Sequence, residues 1–585
     1  MHKTTFKPRH MRFIGIQLAT FTGVAISLMV VAALLQATPE QARAQRAPEL
    51  TTTPTETPTP APTETPTETL GTPTPTVTVT TTVVPTATVD LTATATVTFT
   101  TTPDPHIIEA TVVPSTSQHQ MFFPFTLFAD FAAITVTEEI TEAGTITDTD
   151  LLTDTIDYTP TVLQAEGTTP FGIELNYHEA NMGKVAAANA SYVRINALDW
   201  TLVEPTPGER RWDAANLDAA LAQASTLNLK VVLIIRGTPP WAQKTPGSVC
   251  GPVKTEQFPA FAKFVYDAVV RYSAPPYNVK YWEIGNEPDV PANTTHIVWG
   301  CWGDAKDYYY GAAHYTNMLK QVYPQIKAAD PQSLVLLGGM LANCDPVRPP
   351  AGQNCSSSRF FEGILRNGGA PFFDGVSFHT YEYYTRVLGK WGNTNWRSAY
   401  NTTGPVIIAK ARFFKKLLST YKVTGKFLMD TEIGLLCSNC TAMHQHDLAK
   451  AWYIPEAYAA AMSEGLQAAM WYSLEGWLGT GLIDSNWNPL PSYHSFRIAS
   501  QKFGSATYVG RITSRDVGGV YGITGYKFKQ GNRIVWLVRS ADSLKRTLKL
   551  TAVPTAITDS LGNTISPSKN PVMTLQPVYL EWTTP

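Results

Sequence analysis

The chain has no basic run beyond its first dozen residues, and its formal net charge is −2 across 585 residues. With no cationic face to neutralise phosphates, nucleic acid is not an expected partner. It also lacks a glycine-rich phosphate loop and any obvious cluster of metal-ligand spacing, so no nucleotide, metal or other cofactor is expected. Cysteine is sparse. The one Cys-x-x-Cys, Cys437 to Cys440, has no second pair and no redox-fold pattern around it, which argues against a zinc or dithiol site. From about residue 505 onward there is no long helical pattern.

What is present begins with an export signal. Lys3, Lys7, Arg9 and Arg12 precede an apolar run from Phe13 to Leu35, and Ala42-Arg43-Ala44 has the small-x-small form of a cleavage site. The run is long enough to cross a bilayer, so cleavage and retention as a membrane anchor both stand as readings of residues 1–45. Residues 46–166 follow, first a Thr/Pro stalk and then an acidic Thr-rich stretch. Proline fixes φ and removes donors while little apolar surface is available to offset chain ordering, so a disordered linker is expected. Export places the protein outside the cell or on its surface.

From residue 167 to 504 strand-like and helix-like segments alternate eight times, the pattern of a parallel sheet closed by crossover helices. The strands run Phe171 to Leu175, Tyr192 to Asn196, Lys230 to Arg236, Lys280 to Gly285, Leu334 to Gly338, Gly375 to His379, Lys426 to Glu432 and Ala468 to Ser473. The clearest helix spans Trp212 to Leu227, with Leu217, Ala220, Leu221 and Ala224 at helical spacing; others are expected at Gln257 to Tyr272, Asp304 to Ala329, Pro405 to Tyr421, Gln445 to Glu464 and Tyr493 to Phe503. An α/β chain of this length and order predicts a (β/α)8 barrel.

Two strand ends carry its chemistry. In Tyr281-Trp282-Glu283-Ile284-Gly285-Asn286-Glu287-Pro288-Asp289 an apolar strand stops at a proline that cannot donate to a sheet, leaving Glu287 at its carboxyl end. In Lys426-Phe427-Leu428-Met429-Asp430-Thr431-Glu432-Ile433-Gly434 a second strand runs into Glu432. Two carboxyl groups on one rim are what glycosidic bond cleavage requires, one to protonate the leaving oxygen and one to attack the sugar carbon or activate water. At these residues the chain resembles glycoside hydrolase clan A, the retaining enzymes with carboxyl groups at barrel strands four and seven, and within it the neighbourhood of families 5 and 39. The resemblance implies Glu287 as acid/base, Glu432 as nucleophile and Asn286 as the partner of the substrate 2-hydroxyl. It implies a carboxyl separation of about 5 to 5.5 Å, against about 6.5 to 9.5 Å for inversion.

The other strand ends fill the same mouth. Arg194 faces either the nucleophile or Asp430, which spacing places on the face of Glu432 one layer deeper; Glu283 reads as a buried structural residue, and Glu174 and Glu179 as contacts for sugar hydroxyls. Trp241, after strand three, is a sugar platform or a lid over core. Val203 to Gly208 resembles a loop seen widely in the clan. His379 and Tyr381 share a face by alternation, where the resemblance implies a substrate-contacting histidine and a tyrosine bonded to the nucleophile. It also implies Trp471 as the floor beneath the sugar, with Glu475 and Trp477 in the loop that follows. Aromatic faces suit the apolar C–H patch of a pyranose.

The six cysteines all follow strand ends, and an even number in an exported chain predicts disulfides. Grouped by loop, Cys344 pairs with Cys355, Cys437 with Cys440, and Cys250 with Cys301. Residues 505–585 alternate as strands, with Gln530-Gly531-Asn532 as a hairpin turn, and predict a small β-sandwich with a structural role. The combined expectation is an exported retaining glycosidase acting on β-linked poly- or oligosaccharide. The alternatives are a surface carbohydrate-binding protein on an idle barrel and a transglycosylase. Nothing in the chain speaks to oligomeric state.

Overall fold

Along Val231-Val232-Leu233-Ile234-Ile235 the residues are buried on both sheet faces, Val232 inside the barrel and Val231, Leu233 and Ile235 beneath the helices. That double burial explains why these strands read as continuous β-branched runs. The computed structural model describes residues 78–81, 95–101, 108–114, 158–163, 168–175, 179–292, 301–396, 404–437, 440 and 443–583. Among the described residues eight parallel strands form the barrel: β1 Phe171–Glu174, β2 Tyr192–Asp199, β3 Lys230–Arg236, β4 Tyr281–Asn286, β5 Leu334–Gly339, β6 Gly375–Tyr384, β7 Phe427–Leu436 and β8 Ala468–Tyr472. Pairing of β8 with β1, Ala469 opposite Phe171, closes the ring. Tyr192, Val232, Tyr281, Leu336, Phe427, Met429, Ala468 and Met470 fill its interior.

A helix follows each strand: α1 Glu179–Ala187, α2 Asp218–Thr226, α3 Phe258–Tyr272, α4 Ala312–Ala329, α5 Phe360–Arg366, α6 Ile407–Thr420, α7 Met443–Ser463 and α8 Pro491–Phe503. In α3 the buried Phe258, Phe261, Ala262, Val265, Ala268, Val269 and Tyr272 recur at helical spacing, one stripe facing the sheet. Two predicted helices are shorter than expected, for local reasons. Trp212–Ala215 is a separate 3-10 turn ended by Asn216 at φ 50°, so α2 begins only at Asp218. Residues 304–310 stay in turns because Asp304 accepts from Lys306 N (2.9 Å) and Asp307 from Gly311 N (2.9 Å), side-chain bonds that compete with a helix. Neither α1 nor α5 was expected from the sequence.

The three disulfides are Cys250–Cys301, Cys344–Cys355 and Cys437–Cys440, each in the loops beyond strand ends. Beyond α8 come β9 Thr507–Arg511, β10 Ile523–Gln530, β11 Arg533–Ser540, β12 Ala556–Asp559, β13 Thr564–Ile565 and β14 Val578–Thr583, an antiparallel sheet in the order β9-β10-β11-β14-β12-β13. A ribbon of Arg546–Thr547 and Val572–Met573 helps cover one face, with Leu548, Leu550 and Met573 against Val538, Ile557 and Leu580. The other face meets the barrel helices, where Phe503 of α8 stacks on Phe528 at 4.6 Å.

Tyr158 to Leu163, placed in the linker on sequence grounds, lie against the barrel instead. The Tyr158 hydroxyl donates to the Lys426 carbonyl (2.6 Å) and Leu163 N to Gln467 Oε1 (2.5 Å). Within the expected linker, Thr78–Thr81, Ala95–Thr101 and Ile108–Pro114 form a separate antiparallel three-stranded sheet. The apolar run 13–35 and the motif at 42–44 lie outside the described residues; among the described residues no helix is long and apolar enough to cross a membrane.

Candidate active site

The strand β4 ends with Gly285 at φ 85° and Glu287 at φ 48°, both in left-handed backbone. A non-glycine residue held there is strained and persists only when its surroundings over-determine it. The surroundings do: Glu287 N donates to the Gly339 carbonyl of β5 (3.0 Å), and the Asp289 carboxylate accepts from Leu341 N (2.9 Å) and Ala342 N (2.7 Å). This twist brings the consecutive side chains Asn286 and Glu287 both to the barrel mouth, where each is buried to within a few per cent.

Arg194, on β2, is wholly buried and organises the mouth. It donates through Nε to Glu283 Oε2 (2.7 Å), through Nη1 to Glu432 Oε1 (2.6 Å) and to Glu174, and through Nη2 to Asn286 Oδ1 (2.6 Å). One guanidinium thus fixes groups from β1, β4 and β7, a use that suits its rigid fork of donors. It is not a substrate contact: without exposed surface, it acts through the carboxylates. Glu283 also accepts from Thr431 Oγ1 (2.8 Å).

His379 and Tyr381, from β6, complete the cluster. His379 Nδ1 lies 2.9 Å from Glu287 Oε1 and 3.4 Å from Glu432 Oε2, and its Nε2 lies 3.4 Å from Arg194 Nη2. Arginine only donates, so Nε2 accepts and Nδ1 carries the proton toward Glu287. Burial and the nearby Arg194 and Lys410 charges hold the imidazole well below its ordinary pKa, hence neutral. The Tyr381 hydroxyl donates to Glu432 Oε2 at 2.5 Å, and burial with the Glu432 charge keeps that phenol protonated.

Glu287, His379 and Glu432 each present an atom within 4.8 Å of the others. Such a trio has the composition of a cation site, but the donor set fits one poorly. A metal on Nδ1 would displace its proton and turn an Nε2–H toward the Arg194 N–H groups.

The two carboxyl groups differ in surroundings. Burial raises the pKa of both. For Glu287 the Glu432 and Asp289 charges add to burial and carry it well above the carboxylate range, while Arg194 and Lys410 pull back only in part. For Glu432, Arg194 and the Tyr381 hydroxyl oppose burial directly through hydrogen bonds. Whichever proton the pair retains therefore resides on Glu287. Burial also pushes Glu174 up to about 8 and Asp289 to about 6.

Two sequence expectations fail by one residue. A bulge in β7 between Asp430 and Glu432, opposite Phe378 and His379, breaks the two-residue alternation. Phe427 and Met429 face inward, so Asp430 keeps the helix side and it is Glu432 that the bulge turns into the mouth; Asp430 accepts from Thr380 Oγ1, beside the charge of Lys410. Trp471 is wholly buried under α7, its indole N–H donating to the Thr480 carbonyl (2.8 Å) and its ring 6.2 Å from Tyr453. It cannot be a sugar floor. Alternation from Ala468 and Met470 puts Tyr472 on the inner face, and its ring stands 6.0 Å from Tyr381 and 6.4 Å from Trp477, the three close to mutually perpendicular. Counting inward from Met470 would have found it.

Trp241 is half-buried, packed edge-to-face on Trp200 at 5.1 Å and bonded to the Glu204 carbonyl (3.2 Å), as a lid over core would be. Glu475 accepts from Asn181 at the rim. The side chain of Glu179 lies outside the described residues. Sequence reasoning missed Lys410, on α6, whose buried ammonium donates to the carbonyls of Leu341 (2.6 Å) and His379 (2.7 Å). No sequence signal distinguishes it from a surface helix lysine.

No protein-family model and no curated protein matches the chain. Among solved structures it is similar to a family 39 glycoside hydrolase from the gut symbiont Bacteroides cellulosilyticus WH2, at a TM-score of 0.54 and 17% identity over 83% of this chain and 87% of that one. It is also similar to a conserved exported protein from Bacteroides fragilis, at a TM-score of 0.52 and 11% identity over 72% of this chain and 98% of that one. Likeness at such identities is one of architecture. The chain thus shares the (β/α)8 barrel on which the family 39 glycoside hydrolase is built.

Proposed function

We propose that the protein is an exported retaining glycoside hydrolase acting on β-linked poly- or oligosaccharide, with Glu432 as nucleophile and Glu287 as acid/base. The observation that carries this is the asymmetric carboxyl pair, with one oxygen of each within 4.8 Å. That spacing supports direct attack by one carboxylate and leaves little room for the water that an inverting enzyme places between its two acids.

In the first step Glu432 attacks the anomeric carbon as the glycosidic C–O bond breaks, and the proton of Glu287 goes to the departing oxygen. A covalent glycosyl ester and a free alcohol result. In the second step the Glu287 carboxylate takes a proton from water, whose oxygen displaces Glu432 from the same carbon, and configuration is retained. Arg194 and Tyr381 keep Glu432 ionised, and the Nδ1–H of His379 orients Glu287. Asn286 keeps its amide donors for a sugar hydroxyl, while Tyr472 and Trp477 offer aromatic walls.

Turnover of a panel of aryl β-glycosides by the wild type, Glu432→Ala and Glu287→Gln tests the proposal. Both variants are expected to lose nearly all activity, and azide is expected to restore turnover of Glu432→Ala by replacing the nucleophile. Unchanged turnover in either variant discards the assignment. Sugar binding without turnover by the wild type would instead favour the binding-protein reading.

A further inference from the structure

The C-terminal sheet touches a part of the barrel that leads to the nucleophile. After Tyr381 the strand β6 continues to Tyr384, turns, and pairs back on itself with Trp391 opposite Tyr384 and Gly392 opposite Tyr383. Asn393, next in the returning arm, donates through Nδ2 to the Tyr381 carbonyl (2.8 Å). This hairpin therefore holds the backbone of the residue whose hydroxyl bonds Glu432.

Two groups of the C-terminal domain bear on the hairpin. Arg539, at the end of β11, donates through Nε and Nη2 to both oxygens of Glu456 on α7, the latter at 3.1 Å, and its guanidinium lies 5.3 Å from the centre of the Trp391 ring. Trp391 in turn packs edge-to-face on Tyr453 of α7 at 5.2 Å. Leu575 presses on the tip at Gly389, where φ is 79° and an added Cβ would come within 2.8 Å of the leucine Cβ. A third feature points the same way. Glu382, adjacent to Tyr381, is a buried carboxyl pushed up to about 8 by that burial, and Arg539 is the cation whose charge reaches it.

We propose that the C-terminal domain, through Arg539 and Leu575, positions the β6 hairpin so that Tyr381 meets Glu432, making Arg539 a positioning residue for catalysis. This rests on the glycosidase reading of Glu432. The domain is then a working part of the site, which a barrel with a detachable neighbour would not need.

The experiment is a double-mutant cycle in the full chain, with kcat/KM and its pH profile read on an aryl β-glycoside. Arg539→Met is expected to lower kcat/KM about tenfold, the scale of a small misplacement far from the reacting atoms, and to move the acid limb upward in the direction that Tyr381→Phe moves it. In the Tyr381→Phe background the same change is expected to cost less than about twofold, since the contact it serves is already gone. Losses that multiply, an unmoved acid limb, or an Arg539→Met enzyme as active as the wild type would overturn the proposal. Should Arg539→Met fail to fold by near-ultraviolet circular dichroism, Leu575→Ala decides, with a smaller loss that Tyr381→Phe also erases. Absence of turnover by the wild type on every glycoside would overturn the glycosidase reading and this proposal with it, and that result is distinct from an active wild type indifferent to Arg539.

Discussion

Removing the Tyr381 hydroxyl should shift one limb of the pH profile and leave the other in place. The bond from Tyr381 to Glu432 Oε2, at 2.5 Å, is donated to a charged acceptor in a water-poor site. Such bonds contribute roughly 1.5 to 3 kcal/mol. At about 1.36 kcal/mol for each pKa unit, Tyr381→Phe raises the pKa of Glu432 by about 1 to 2 units. The sign follows from which form is stabilised. The hydroxyl favours the carboxylate, so its loss favours the acid, and Glu432 must be ionised to attack. Activity on the acid limb therefore requires a higher pH, and the bell narrows from that side. The basic limb reports the loss of the Glu287 proton, which Tyr381 does not bond, and stays near its wild-type position. Phenol ionisation does not intrude, because Tyr381 is held well above its ordinary pKa. The assay is kcat/KM against pH on an aryl β-glycoside for both proteins. An acid limb that stays put or moves down would refute the assignment of Glu432 as the ionised partner.

Other perturbations discriminate among the remaining roles. Gly339→Ala places a Cβ about 2.1 Å from His379 Nε2 and 2.6 Å from Thr431 Oγ1, so it should cost about 1 to 3 kcal/mol of stability by overpacking and lower kcat, checked by denaturant melts and turnover. Tyr472→Ala should weaken binding of a glycoside or a competitive sugar inhibitor while leaving the melting temperature little changed. Trp471→Phe should do the reverse, losing the bond to the Thr480 carbonyl and core packing with little effect on KM. Saturating chelator should leave kcat/KM unchanged, because Nδ1 of His379 is committed as a donor; loss of activity restored by a divalent cation would show that the Glu287, His379 and Glu432 trio takes a metal.

Much of the barrel was legible because strands such as Lys230–Arg236 and Leu334–Gly339 are apolar runs stopped by glycine or a charged residue, a signal that needs no tertiary knowledge. The disulfide partners were legible for a similar reason, since residues in one loop, or in neighbouring loops of a barrel, have few places to be. The failures have two sources, a backbone irregularity that overrides the period and a regular strand that offers a choice of aromatics. At β7 a single extra residue reverses the direction of Asp430 relative to Glu432, and nothing in Met429-Asp430-Thr431-Glu432 announces it. At β8 the pattern Ala-Ala-Met-Trp-Tyr offers two adjacent aromatics, and the larger one belongs to the helix side.

These irregularities sit at the mouth because chemistry needs side chains that a regular strand would send apart. A regular β4 would carry Asn286 and Glu287 to opposite faces; left-handed backbone at Gly285 and Glu287 brings them together. A regular β7, with Phe427 and Met429 inside the barrel, would send Glu432 to the helix side with Asp430; the bulge turns Glu432 into the mouth, where Arg194 bonds it together with Glu174 and Glu283. Asp430 stays on the helix side, bonded by Thr380 Oγ1 and near the Lys410 ammonium, which also takes up the His379 carbonyl. The bulge meets one requirement, that Glu432 face Glu287 across the mouth, which the period of the strand alone would deny it.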